Sequence, residues 1–164
     1  MDPDLEVIDI GRQESFKAWE HGYPFRTVRW HFHPEYEIHH VVNTTGRYYV
    51  GDFIGGFAPG NLVMTGPNLP HNWVSDLPPD TEIALRNRVV QFAEPVIVGA
   101  MKLYPELAPC ADMLAASRRG LLFPLETAGR VGSMLAELVA AKGVRRIELF
   151  ISILGGLAAA PARP

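Results

Sequence analysis

His31-Phe32-His33-Pro34-Glu35-Tyr36-Glu37 decides how this chain is read. In a strand, side chains at i and i+2 share a face. His31 and His33 therefore point the same way, and Glu37 keeps their parity if the strand continues past Pro34. Two imidazoles and a carboxylate meeting at one point form either a metal centre or a polar ligand pocket. His71 follows Pro70 at the start of another strand-like run and adds a third nitrogen. The set His31, His33, Glu37 and His71 has the donor mix of Zn²⁺, Fe²⁺, Mn²⁺ or Ni²⁺. The alternative is a cavity in which these groups bond one another without an ion. His39 shares the parity of Glu37, and Trp73 shares the face of His71. His40 is expected on the opposite face, exposed, and Glu35 is expected as a solvated charge. His21 has no assigned role.

The surrounding residues read as β from 5 to 92. Short runs rich in Val, Ile, Tyr, Trp and Phe alternate with turn residues. Strands are expected near 7–10, 15–20, 27–33, 37–42, 47–50, 56–58, 61–65, 71–75 and 82–92. Asn43-Thr44-Thr45-Gly46 and Pro59-Gly60 read as hairpin turns. The loops at Gly66–Pro70 and Pro78–Asp80 cannot lie in a central strand. Many short strands at close spacing indicate a small sandwich or barrel. In the last strand Ile83, Leu85, Asn87, Val89 and Gln91 share one face, with Asn87 and Gln91 as candidate ligand-binding amides. Arg86 and Arg88 are expected on the other face.

Beyond residue 92 the periodicity becomes helical. Helices are expected over 94–103, 105–117, 127–142 and 144–159, with a break at Gly120–Pro124. The last two carry apolar stripes that suit packing against the barrel and against a partner. Residues 158–164 read as a frayed end or the start of a linker. The expected domains are thus a barrel over 1–92, a helical segment over 93–160 and a tail over 161–164.

Composition narrows the functions. With 164 residues, 48% hydrophobic and 20% charged, the chain should be globular. Its net charge of −3 does not suit a nucleic-acid surface. The N-terminus is acidic and unlike a signal peptide, and no apolar run is long enough to span a membrane. A single cysteine, Cys110, excludes an internal disulfide, and a reducing cytoplasm is expected. No phosphate-binding loop and no Ser or Cys nucleophile elbow is present.

His31-x-His33, Glu37, Gly46 and Pro70-His71 are similar to the two barrel motifs of cupins. Trp30–His39, Pro59–Val63, Gly66–Trp73, Val89–Phe92, Pro105–Leu107 and Ser117–Leu121 together resemble, in that order, the N-terminal regulatory half of AraC-type transcription regulators. The resemblance implies a mainly β protein with C-terminal helices: a cupin (double-stranded β-helix, jelly-roll) barrel followed by a helical dimerisation segment. It also implies a small-molecule effector in the barrel and a homodimer formed through the helices. The DNA-binding domain that would follow in that family is not within these residues, so this chain alone is not expected to bind DNA. His31, His33, Glu37 and His71 are the expected holders of one divalent transition metal (Zn, Ni, Fe or Mn), with no other cofactor. His39, Trp73, Asn87 and Gln91 are the expected effector contacts, and no catalytic residue is assigned. The competing reading is a stand-alone metal-dependent cupin enzyme of oxygenase or isomerase type.

Overall fold

The computed structural model describes residues 2–25 and 29–164. Among these residues ten strands form two five-stranded sheets. They are β1 (Asp4–Leu5), β2 (Lys17–Tyr23), β3 (His31–Phe32), β4 (Tyr36–Val41), β5 (Gly46–Val50), β6 (Phe53–Phe57), β7 (Leu62–Thr65), β8 (His71–Ser75), β9 (Ile83–Phe92) and β10 (Leu121–Leu122). The first sheet runs β1-β3-β8-β5-β6 and the second β10-β7-β4-β9-β2. The helices are α1 (Glu94–Leu103), α2 (Cys110–Ser117), α3 (Leu125–Ala140) and α4 (Val144–Ala158).

Neither Asn43–Gly46 nor Pro59-Gly60 makes a hairpin, contrary to expectation. β4 lies in the second sheet and β5 in the first; β6 and β7 are likewise split. Both turns carry the chain across the sandwich, as a jelly roll requires. The corner after β4 places Thr44 at φ 75°, and its hydroxyl is 2.8 Å from Ser75 Oγ.

Other boundaries also moved. Residues 7–10 form no strand; the N-terminal strand is Asp4–Leu5, paired parallel to His31–Phe32. Val7 is instead exposed. The strand expected over 27–33 is seen only as His31–Phe32, because Pro34 has no N–H for the ladder; Thr27 and Val28 lie outside the described residues. The helix expected over 105–117 is a 3-10 turn at Pro105–Leu107 followed by α2, with Pro109 at the junction. Leu121-Leu122 forms β10 against β7 rather than a simple break. The terminal residues are not frayed, since Arg163 exchanges two backbone hydrogen bonds with Leu122, at 2.7 and 3.0 Å.

Two apolar clusters define the packing. The smaller, inside the barrel, contains Val41, Tyr48, Val50, Phe57, Val63 and Trp73. The larger lies between the second sheet and the helices and includes Ile38, Met64, Phe92, Leu135, Phe150, Ile153 and Leu154. The second sheet is therefore covered on both sides, and every residue of β4 is buried. Alternation then aims Glu37, His39 and Val41 into the barrel and Tyr36, Ile38 and His40 at the helices.

This explains why His40 is not exposed. Its ring packs against α3 at Gly132, where a Cβ would come within 2.6 Å of His40 Cε1. Burial, and then the charge of Arg88, push the His40 pKa down to about 4. An unfolded histidine titrates near 6.5, so the folded state binds fewer protons between those values. The stability that His40 contributes is present above about pH 6.5 and lost as pH falls toward about 4. His31, also pushed to about 4, acts in the same window. His40→Leu is thus expected to lose less stability than wild type between about pH 7 and about pH 4.5, read as urea midpoints. An equal loss in both proteins would refute this account.

Candidate metal and effector site

The four expected metal-binding residues come together between the sheets. His31 and His71 are directly opposite each other across β3 and β8. His33 follows β3, and Glu37 reaches them from β4 in the facing sheet. One ligand atom from each of His31, His33 and His71 lies within 4.8 Å of the others.

Their tautomers follow from local bonds. The Nδ1 of His31 is 2.6 Å from the Arg29 carbonyl, that of His33 is 3.2 Å from the Glu35 carbonyl, and that of His71 is 2.8 Å from the Leu69 carbonyl. A carbonyl only accepts, so each Nδ1 carries the proton and each Nε2 faces the shared centre. Backbone carbonyls hold metal-bound imidazoles in the same way. His71 Nε2 is buried without a hydrogen-bond partner, 3.7 Å from Glu37 Oε1. Three Nε2 atoms and one carboxylate, with a buried orphan nitrogen among them, fit a divalent transition metal.

Without an ion, Glu37 is held by protein groups. His33 Nε2 lies 3.1 Å from Glu37 Oε2, and Gln91 Nε2 donates to the same oxygen at 2.9 Å. Burial alone would raise the Glu37 pKa, but the nearby His71 imidazole and the hydrogen bond from His33 carry it well below the usual carboxylate range. Burial likewise opposes the His33 imidazolium, but the hydrogen bond and charge of Glu37 outweigh it and raise its pKa. Gln91 also accepts from Trp19 Nε1 at 3.0 Å. Both ends of its amide are thus occupied, and it positions Glu37.

The other expected effector contacts line the same cavity of about 40 Å³. The His39 ring lies 3.7 Å from the Trp73 ring, and its Nδ1 has no partner. Burial holds the His39 pKa well below 6.5, so the ring is neutral. Trp73 Nε1 donates to Asn61 Oδ1 at 3.1 Å, and its ring stacks on Tyr48. Asn87 Nδ2 is 3.4 Å from His21 Nε2, and Asn87 Oδ1 is unpartnered.

Several residues of the site were not anticipated. Glu6 Oε2 is 3.4 Å from His31 Nε2, brought there by the parallel pairing of β1 with β3. No local pattern announces so distant a pairing. Glu35 is not solvated; its Oε2 is buried, 3.6 Å from His33 Nδ1. His21 lines the cavity with Trp19 and Phe25. Arg86, expected outside with Arg88, is 1% exposed and lines the cavity beside Asn87. The register of β2 against β9 slips between His21 and Tyr23, so that one residue, Gly22, faces three of β9. A bulge breaks face alternation and re-aims side chains. Gly22 was the available signal, since a glycine within a strand often marks a bulge; a Cβ there would sit 2.2 Å from the Ile83 carbonyl.

No family model and no curated protein matches the chain. Among solved structures, an apo form of a ToxT variant from Vibrio cholerae superposes with a TM-score of 0.53, at 12% identity, over 88% of this chain and 54% of that one. A second ToxT structure from Vibrio cholerae gives 0.51, at 11% identity, over 85% of this chain and 54% of that one. A Cupin 2 conserved barrel domain protein from Salinispora arenicola matches over 56% of this chain and 91% of that one, with a TM-score of 0.35 and 18% identity. The chain spans about half the length of ToxT (54%). The two ToxT likenesses bear out the expected fold, a jelly-roll barrel of two sheets followed by C-terminal helices. No helix among the described residues is long and apolar enough to cross a membrane.

Proposed function

We propose that this chain is the ligand-sensing and dimerisation part of an AraC-type transcription regulator. A small molecule, with a divalent metal, occupies the barrel, and the helices join two copies. The observation that carries this reading is the two-faced character of α4. Its Leu149, Phe150, Ile153, Leu154 and Leu157 are buried in the core. Its Val144, Ile147 and Ile151 form a second apolar stripe at i, i+3 and i+7 that is 71%, 49% and 37% exposed. A helix serving only as a lid on a barrel needs a single apolar face. A second one suits an isologous contact with another copy.

The metal would be held by His31, His33, His71 and Glu37, and when bound it supplies a positive centre that attracts polar or anionic groups. The chain's own residues do the rest. Backbone carbonyls orient the three imidazoles, Gln91 fixes Glu37, and the close-packed pair His39–Trp73 walls the cavity. β4 separates this cavity from the helices by the thickness of one sheet. A ligand that binds two arrangements of β4 with different affinity shifts the balance between them.

Light scattering at micromolar concentration tests the reading. The wild-type chain is expected to be a dimer. The double substitution Ile147→Asp with Ile151→Asp, on exposed positions that leave the core intact, is expected to make it a folded monomer. A monomeric wild type would overturn the proposal.

A further inference from the structure

Arg86 carries a charge that the site described so far does not use. Its side chain is among the largest fully buried in the protein. Nε donates to Ser75 Oγ at 2.8 Å, and one terminal nitrogen donates to the Trp73 carbonyl at 2.8 Å. Both acceptors are neutral. The rings of Tyr23 and Phe57 each lie 5.8 Å from the guanidinium carbon. Among the described residues no carboxylate pairs with it. The two carboxylates of the cavity are engaged elsewhere, Glu37 with His33 and His71 and Glu6 with His31. A buried guanidinium without a counter-charge is costly, and such groups are paired or they await an anion.

The surroundings select the kind of anion. Arg86 lines the cavity beside Asn87 and close to His39 and His21. Asn87 Oδ1 and His39 Nδ1 are buried polar atoms without partners. Trp19, Phe25 and Trp73 supply apolar walls. A space of about 40 Å³ holds about three waters, or a carboxylate with a short tail. A planar guanidinium matches a planar carboxylate through paired N–H donors.

We propose that the effector of this barrel is a short-chain carboxylate whose charge is met by Arg86, with the His39 imidazole donating to it and Asn87 Oδ1 accepting from a hydroxyl where the effector carries one. The inference rests on the reading of the barrel as an effector site and adds the class of effector. It does not depend on the metal centre, because Arg86 is not one of the metal-binding groups.

The test uses the full chain and follows thermal unfolding in sodium formate, acetate and lactate against sodium chloride of equal ionic strength. At least one carboxylate is expected to raise the midpoint saturably, and chloride is not. Arg86→Met removes the charge and is expected to weaken the apparent affinity about tenfold or more, the scale of one charge-assisted hydrogen bond. Arg86→Lys keeps the charge without the fork. It serves where the methionine variant does not fold, and its response should be weaker than that of wild type. Repeating the titration on wild-type protein stripped with a chelator is expected to leave the carboxylate response in place, which separates failure of this inference from failure of the metal centre. Light scattering on the same samples separates it from failure of the dimer. The proposal is overturned if none of the three carboxylates acts differently from chloride. It is equally overturned if folded Arg86 variants respond as wild type does, which would make Arg86 only a tie between the sheets.

Discussion

Removing His71 is expected to abolish metal retention. Wild-type protein loaded with one equivalent of Zn²⁺ or Ni²⁺ and desalted should keep close to one ion per chain, and His71→Ala should keep almost none. Three features make this the largest effect in the molecule. The Nε2 of His71 is buried with no protein hydrogen bond to give up. Its Nδ1 is already committed to the Leu69 carbonyl, so the lone pair is oriented before any ion arrives. Its removal leaves His31, His33 and Glu37, one imidazole short of the four-donor set. The loss in affinity should exceed the roughly 100-fold that removal of a merely supporting partner can cost. Metal content by elemental analysis and the rise of the unfolding midpoint on metal addition are the two readouts. Equal retention by wild type and variant would sink the proposed centre. Retention lost in the variant alone would also show that the imidazoles act as ligands and not simply as mutually bonded core groups.

Gln91→Leu is expected to give the largest effect on the metal-free protein. The amide makes a buried bond to the Glu37 carboxylate and a half-buried one from the Trp19 indole. Leucine fills similar space but leaves a buried charge short of a donor and a half-buried N–H short of an acceptor. The expected loss is about 2–4 kcal/mol, combining a bond to a charged group with an unsatisfied donor. Adding metal should restore part of it, because the ion then neutralises Glu37. Urea unfolding with and without one equivalent of Zn²⁺ measures both. A loss within experimental error of zero would mean that Glu37 is held by the histidines alone.

Much of the architecture was legible in the residues, and the failures have physical causes. The parity of His31, His33 and Glu37, with His71 after Pro70, foretold the group that meets between the sheets. Local periodicity also located α1 and α4 closely, because an apolar stripe at helical spacing is a property of the segment itself. What escaped depended on partners far along the chain. Turn chemistry marked Asn43–Gly46 as a turn, read as a hairpin, but not which sheet each neighbour joins. Alternation placed His40 outside because a lone strand carries no sign of helices stacked on its back. The same rule misplaced Arg86, since a bulge between β2 and β9 suspends alternation where it was applied. Glu6 enters the site only through a parallel pairing with residues some 25 positions away (Asp4 with Arg29 and His31 at that edge).

The double cover of the second sheet has a consequence for how proteins built this way can diverge. A change at Glu37 or His39 alters the cavity, yet its immediate neighbours Ile38 and His40 hold the helical core, so drift on β4 is constrained from both directions. The first sheet is free of that constraint: Ile54 and Val74 reach solvent on its outer side. New chemical tastes are therefore cheapest to acquire from the wall formed by β3, β8 and the N-terminal strand, while the wall shared with the helices stays fixed. Relatives that answer to different molecules should differ first at positions such as Glu6, His31 and Asn72, and keep the pattern of residues 36–41 nearly unchanged.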